Sequence, residues 1–289
     1  MRLTHRDHIL LFAPLAILIG GWLIIPALVG LSATLTTYSP LTTAVAFVGW
    51  QNYSDVLHDP QFGDAVRNVA IFALVAVPLE LGLGFAIAYL LRRPIRGRSW
   101  WRGLLLLPWL VSPIAAGVMW HYLFSGATGI VSFVLGWLGL PEAASPIGDV
   151  RLALAATIAI EVWRMAPFVT FLLLPGLVAI PEERWEQATL AGTSWFWRIV
   201  NVALPEVAPL MLSVGMLLTG LSLGAFDTIL ILTGGGPGTA TLTPALYSYG
   251  RAFGTNDWPV GATSGWLIAA GVLAAGAIYL RLATVRNVE

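Results

Sequence analysis

The sequence predicts an all-α integral membrane protein of six transmembrane helices, and three observations carry that prediction. Of its 289 residues 57% are hydrophobic and only 10% charged, against about 25% charged residues in an ordinary soluble domain. Six apolar runs each reach roughly the 20 residues that a helix needs to cross a hydrocarbon core about 30 Å thick. The basic residues gather in the connectors of one side, which orients the spans.

Composition also removes whole classes of chemistry. There is no cysteine, so neither a disulfide framework nor a thiolate metal site can form. All fifteen basic residues are arginine, which rules out a lysine-bearing phosphate loop and a Schiff-base lysine. The formal net charge of zero argues against a nucleic-acid partner, and no metal-ligand spacing is present.

Met1 to His8 is a short charged lead, and Ile9 to Leu31 is the first span. A cleaved signal peptide would carry an apolar region of only about 7 to 15 residues, and five further spans follow. Ser32 to Asn68 is polar and aromatic and reads as an external loop. Val69 to Leu91 is span two, loosened by Pro78, with Gly82 and Gly84 as small residues where another helix can approach and Glu80 near its middle. Arg92 to Arg102 is the densest basic cluster and reads as a cytoplasmic connector. Gly103 to Phe124 is span three, containing Pro108 and Pro113, and an external loop with a short helix around Ile130 to Leu140 follows. Arg151 to Leu174 is span four, Leu210 to Thr233 span five, and Val260 to Leu282 span six. Together they form a single predicted transmembrane domain over residues 1–289. Eleven arginines (2, 6, 92, 93, 96, 98, 102, 184, 198, 281 and 286) fall on the predicted inside. Three (67, 151 and 251) fall outside and Arg164 within a span, so both termini are expected in the cytoplasm.

Between spans four and five lies Glu182 to Pro209, EERWEQATLAGTSWFWRIVNVALPEVAP, which is neither span nor short connector. Pro181 suits the entrance of a helix, and Glu182 and Glu183 suit the positive end of its dipole. Trp185, Thr189 and Leu190 make a weak apolar stripe that ends at Gly192, the residue type that turns a chain without steric cost. A second short helix is expected from Trp195 to Val202, stopped by Leu204-Pro205 because proline cannot donate the helical hydrogen bond. The expected object is a helix-turn-helix bracket.

Glu186-Gln187-Ala188, three residues, Gly192, nine residues, Val202, one residue, Leu204-Pro205 resembles the EAA loop of permease subunits of binding-protein-dependent ABC importers, most closely the carbohydrate branch typified by the maltose transporter. Gln187 stands where alanine is common, Ala191 where an aspartate often precedes the glycine, and Val202 in place of isoleucine. The resemblance continues through RNVAIFALVAVPLELGLGFAIAYLL from Arg67, RGLLLLPWLVSPIAAGVMWHYLF from Arg102, EVWRMAPFVTFLLLPGLVAIP from Glu161 and FDTILILTGGGPG from Phe226. It implies a type I importer permease fold in the bacterial inner membrane. The partners it implies are a second related permease, two ATPase subunits that bind the ATP and Mg²⁺, and an external solute-binding protein. In that setting the 182–209 loop is a coupling element in which Glu186, Ala188, Gly192, Leu204 and Pro205 match the motif, and the solute is a sugar or related polyol.

Ionisable groups inside spans are costly unless paired or wetted. Glu161 and Arg164 are three apart and share one helix face, so they can pair, and Pro167 is expected to open the helix just beyond. Glu80 and Asp227 have no local partner, and two readings stand open for them: an inter-helix hydrogen-bond network, or contact with solute along the path. Aromatics such as Trp120, Tyr122, Trp163 and Phe226 could offer faces to sugar rings, or sit at the membrane interface. His121 lacks a companion acid or serine and reads as interfacial. The glycine run at 234–238 contains a proline and follows a span, so it reads as a turn and not a phosphate cradle. An ion-coupled secondary carrier is the alternative that buried acids would suit. An intramembrane serine protease would need a GxSG serine and a later histidine, and neither is present.

Overall fold

The computed structural model describes residues 14, 17–39, 41, 45–93, 97–126, 129–137 and 145–286. The charged lead with Arg2 and Arg6, most of the first half of span one, Arg96, and the end of the expected 130–140 helix lie outside them.

Helix α1 covers Ile17–Ala33, and α2, Gln51–His58, falls where a loop was expected. Helix α3 is Pro60–Leu91, some nine residues longer at its start than span two as read from hydropathy. Asp59 accounts for the early start: its Oδ1 accepts the Gln61 N–H at 2.8 Å, and Pro60 follows, the pairing of cap and first-turn proline that opens helices. Span three is two helices, α4 (Arg98–Leu110) and α5 (Pro113–Leu123), bent by 87° at the break. Ser112 caps α5 by accepting the Ala115 N–H at 3.2 Å, and Pro113 occupies its first turn. That local signature outcompetes the continuous apolar run.

Helix α6 is Ile130–Trp137, and α7 is Ala153–Val178, which runs unbroken through Pro167 and Pro175. Pro167 therefore does not open the helix as expected. The residue is buried among neighbours, and such packing holds membrane helices together across proline. Helix α8 is Glu182–Leu190. Helix α9, Trp195–Leu223, continues straight through the proline that was expected to stop it. The reason is a π-helical turn at Ile199–Ala203, where Leu204 N–H reaches back to the Ile199 carbonyl. One extra residue per turn relieves the clash between the Pro205 ring and the preceding carbonyls. Span five thus ends at Leu223, ten residues before its predicted end, and 227–232 is a separate short helix, α10 (Asp227–Leu232). Helix α11 is Pro244–Tyr249 and α12 is Trp258–Arg286.

Four of the described helices are long and apolar enough to cross a membrane, and the bent α4–α5 pair makes a fifth if it is one span. Helix α1 is a shorter apolar helix. Contacts group into two compact units, Met1–Gly63 with Tyr247–Leu267 and Asp64–Leu246 with Ile268–Glu289.

In the first unit the Asn52 amide donates to the carbonyls of Thr34 at 2.8 Å and Thr36 at 3.0 Å, fixing α2 against the end of α1. Asp59 is the other centre. It accepts the Tyr247 hydroxyl at 2.7 Å and the Arg251 guanidinium, and Phe62 meets the Tyr247 ring edge-on. Burial pushes the Asp59 carboxyl up, but the bonds from Tyr247, the Gln61 amide and Arg251, with the Arg251 charge, outweigh it and hold the group below its ordinary value. Burial, and next the bond to Asp59, push the Tyr247 phenol up to about 12. A depressed carboxyl adds stability above its unfolded value and loses it as pH falls through the folded one. Asp59→Asn is therefore expected to cost about 1–2 kcal/mol at pH 7, and the gap in melting temperature between the two proteins should close on acidification below pH ~4. Melts at several pH values check this.

An apolar cluster holds four helices of the second unit together. It joins Val77, Phe85, Ala88 and Leu91 of α3 to Val169, Leu173 and Leu177 of α7, Trp185 and Ala188 of α8, and Val202, Val207, Val214 and Leu218 of α9. Gly84 allows α3 and α7 to approach closely: a Cβ there would lie 2.5 Å from Val169 Cγ1. Asn68 on α3 donates to the Thr239 and Leu242 carbonyls at 2.6 and 3.1 Å, and Thr239 donates to Asp64 at 2.8 Å, so the segment after the glycine turn is pinned to α3.

Candidate functional sites: a glycine-hinged bracket and a polar cavity

The bracket is built on α8, which buries Trp185 and Ala188 and leaves Glu186 exposed. Trp185 meets Tyr89 edge-on at 6.1 Å, and the Arg92 guanidinium sits 3.6 Å from the Trp185 ring centroid. This cation–π contact ties α8 to the end of α3. After Leu190 the helix closes in a Schellman motif: Gly192 N–H bonds to the Thr189 carbonyl at 3.0 Å and Thr193 N–H to the Ala188 carbonyl at 3.2 Å. That motif needs a left-handed residue, and Gly192 supplies it at φ +69°.

Ser194 then caps α9 by accepting the Trp197 N–H at 3.2 Å. Arg198 locks the turn from the far side, donating to the Thr193 carbonyl at 2.9 Å and to Thr189 Oγ1 at 3.0 Å. Sequence reasoning placed the glycine hinge and missed Ser194 and Arg198, although a serine before an aromatic-apolar run is a readable cap. Leu204 and Pro205 lie just past the π turn, where they set the wide turn and do not end the helix. Arg184 pairs with Glu206 across the bracket, an exposed contact that contributes little. What remains is an uncovered face: Leu190 is 88% exposed, Trp195 67% and Phe196 62%. Beside it a groove of about 750 Å³ is lined by Arg92, Arg93, Arg198, Glu182 and Glu186.

The second site is a cavity of about 370 Å³ among α3, α4, α5, α7, α9 and α10. Of the residues singled out from sequence, Glu161, Arg164, Phe226 and Asp227 line it. The Glu161–Arg164 pair forms as its spacing required, with Arg164 Nη2 2.6 Å from Oε1 and Nε 3.2 Å from Oε2. Asp227, placed inside a span by hydropathy, is an exposed residue in the first turn of α10. Glu80 is 1% exposed and does not line the cavity, and its Oε1 has no hydrogen-bond partner. Trp163 does not line it either; its ring packs edge-on against Trp120 at 5.4 Å. Two aromatics that sequence reasoning passed over do line it. Trp109 and Phe168 stack with centroids 5.0 Å apart and planes 11° apart. No local signal marks a pair 59 positions apart in the chain.

Apolar helices packed through small residues around a cavity that holds an ion pair, with a two-helix bracket left uncovered, fit a membrane permease. The sequence profile of the binding-protein-dependent transport system inner membrane component family matches residues 80–288, and the chain belongs to that family. A probable ABC transporter permease of Sinorhizobium fredii is 34% identical over 234 residues, covering 80% of this chain and 74% of that protein. The trehalose/maltose transport system permease MalF of Thermococcus litoralis is 33% identical over 244 residues, covering 83% and 81%. The sulfoquinovosyl glycerol transport system permease SmoG of Agrobacterium fabrum is 29% identical over 276 residues, covering 95% and 89%. Among solved structures, a bacterial ABC transporter involved in the import of the acidic polysaccharide alginate superposes with TM-score 0.83 over 96% of both chains at 19% identity, a likeness of fold. The chain is a multi-pass membrane protein and a permease subunit of an ABC importer, of the carbohydrate branch indicated by its EAA loop. It is a transport subunit and not an enzyme, as its relatives are named, and the secondary carrier and protease readings are not favoured.

Proposed function

We propose that this chain forms one half of the translocation path of a bacterial inner-membrane importer for a sugar or related polyol, with both termini in the cytoplasm. A second, related permease completes the path, an external binding protein delivers solute, and two separate ATPase subunits bind ATP and Mg²⁺. The observation that carries this reading is the bracket. A short amphipathic helix locked by a Schellman turn and an arginine clamp, with Glu186 and a large apolar face exposed, is shaped to transmit force to another protein. Relatives named for trehalose and maltose support a sugar as solute. The cavity supports it too, because carboxylates and stacked aromatic faces are what polyhydroxyl rings are bound by.

The test is purification from the native membrane followed by ATPase assay of the complex with its binding protein against a sugar panel. ATPase subunits should co-purify, and hydrolysis should rise only when the binding protein carries its sugar. Isolation of the chain without any ATPase subunit, or solute uptake that continues without ATP, would overturn the reading.

A further inference from the structure

We infer that the cavity selects uncharged polyhydroxyl solutes against acidic ones, and that Asp227 is the residue that sets this preference. The inference rests on the cavity lying on the solute path. Arg164 is the one cation among the described residues that line the cavity, and its charge is already balanced by Glu161. Its Nε and Nη2 are both taken by Glu161, with the two side chains only 15% and 16% exposed. An acidic sugar binds well where a guanidinium fork is open. Here the Nε–Nη2 edge is taken by Glu161, and drawing Arg164 away to an acidic solute would strand the Glu161 carboxylate in a largely buried place.

Asp227 makes the balance negative. It lines the same cavity, is exposed, and belongs to none of the three ion pairs found among the described residues. The lining therefore carries one formal negative charge in excess. A charge at the wall of a confined cavity is met at short range by any solute that enters. An incoming carboxylate, phosphate or sulfonate meets repulsion with no unpaired cationic charge to offset it, whereas a hydroxyl can donate to Asp227. The stacked Trp109 and Phe168 favour the C–H face of a sugar ring and are indifferent to its charge. Family membership leaves the point open, since relatives are named for trehalose and maltose and also for sulfoquinovosyl glycerol and sn-glycerol-3-phosphate.

The test reads the charge of the cavity directly and so bypasses the selectivity of the binding protein. The chain has no cysteine, and Gly224 lines the cavity. A side chain added there meets only carbonyl oxygens at 3.7 and 3.8 Å, an ordinary contact. Gly224→Cys in the purified permease–ATPase complex is reacted with a cationic and an anionic methanethiosulfonate of equal size. Each rate is divided by the reagent's rate with a free thiol in solution. The cationic reagent should react at least tenfold faster, and adding Asp227→Asn should cut that ratio at least threefold. Equal rates, a preference for the anion, or a ratio untouched by Asp227→Asn would overturn the selectivity while leaving the path in place. No labelling by either reagent, with or without ATP, would take the cavity off the solute path and the inference with it.

Discussion

Gly192→Val should leave the permease inserted at normal levels yet break transport, with ATPase subunits either lost on purification or hydrolysing ATP without moving solute. The physical case is narrow because space is not the issue: nothing lies within 4 Å of a Cβ built at Gly192. The whole cost is backbone. A β-branched residue at φ +69° is strongly disfavoured, by about 1–3 kcal/mol. That is too little to unfold a bundle of apolar helices and enough to open the Schellman turn. Once the Thr189 and Ala188 carbonyls lose their partners, α8 and the start of α9 no longer keep one angle. Gly192→Asn is the control, because asparagine tolerates the left-handed region and should keep most transport.

Glu186→Arg probes the same element by charge. Glu186 is exposed in the groove it shares with Arg92, Arg93 and Arg198. Reversal should spare the fold and abolish coupling to a basic site on the ATPase. Neither variant should change the affinity of the binding protein for its sugar, and uptake at wild-type rates by both would remove the coupling role from the bracket.

Gly84→Val should sharply lower the yield and the thermal stability of the folded permease. Its Cβ would fall 2.5 Å from Val169 Cγ1 and 3.1 Å from the Thr170 backbone nitrogen. One of those neighbours is main chain and cannot swing aside. Overpacking usually costs about 1–3 kcal/mol, and this contact lies at the upper end because both helices are fixed by the same core. Gly82→Ala, two residues earlier and with nothing within 4 Å, should be neutral or slightly stabilising through helix propensity of about 1 kcal/mol. Yield and thermal stability in detergent separate the two, and equal behaviour would refute the packing argument.

That glycine pair marks the boundary between what could be read and what could not. Sequence alone established the membrane class, because long apolar runs have one physical solution in lipid. It located the Gly192 hinge, since a helix closing on a left-handed residue is a local event within a few positions. It also paired Glu161 with Arg164, three apart on one helix. Local chemistry held two more facts that hydropathy drowned out: Ser112-Pro113 starts a new helix, and Pro205 is absorbed by a π turn. The rest needed the folded chain. Which of Gly82 and Gly84 is crowded, why Asp227 leaves the span, and how it comes to line one cavity with Glu161 and the Trp109–Phe168 stack all depend on helices far apart in sequence. In water an apolar face would have announced the side that packs. In lipid every face of a span is apolar, and helices choose partners by shape and by rare polar contacts. Composition therefore sets the spans, and only the tertiary structure decides which side chains share a cavity.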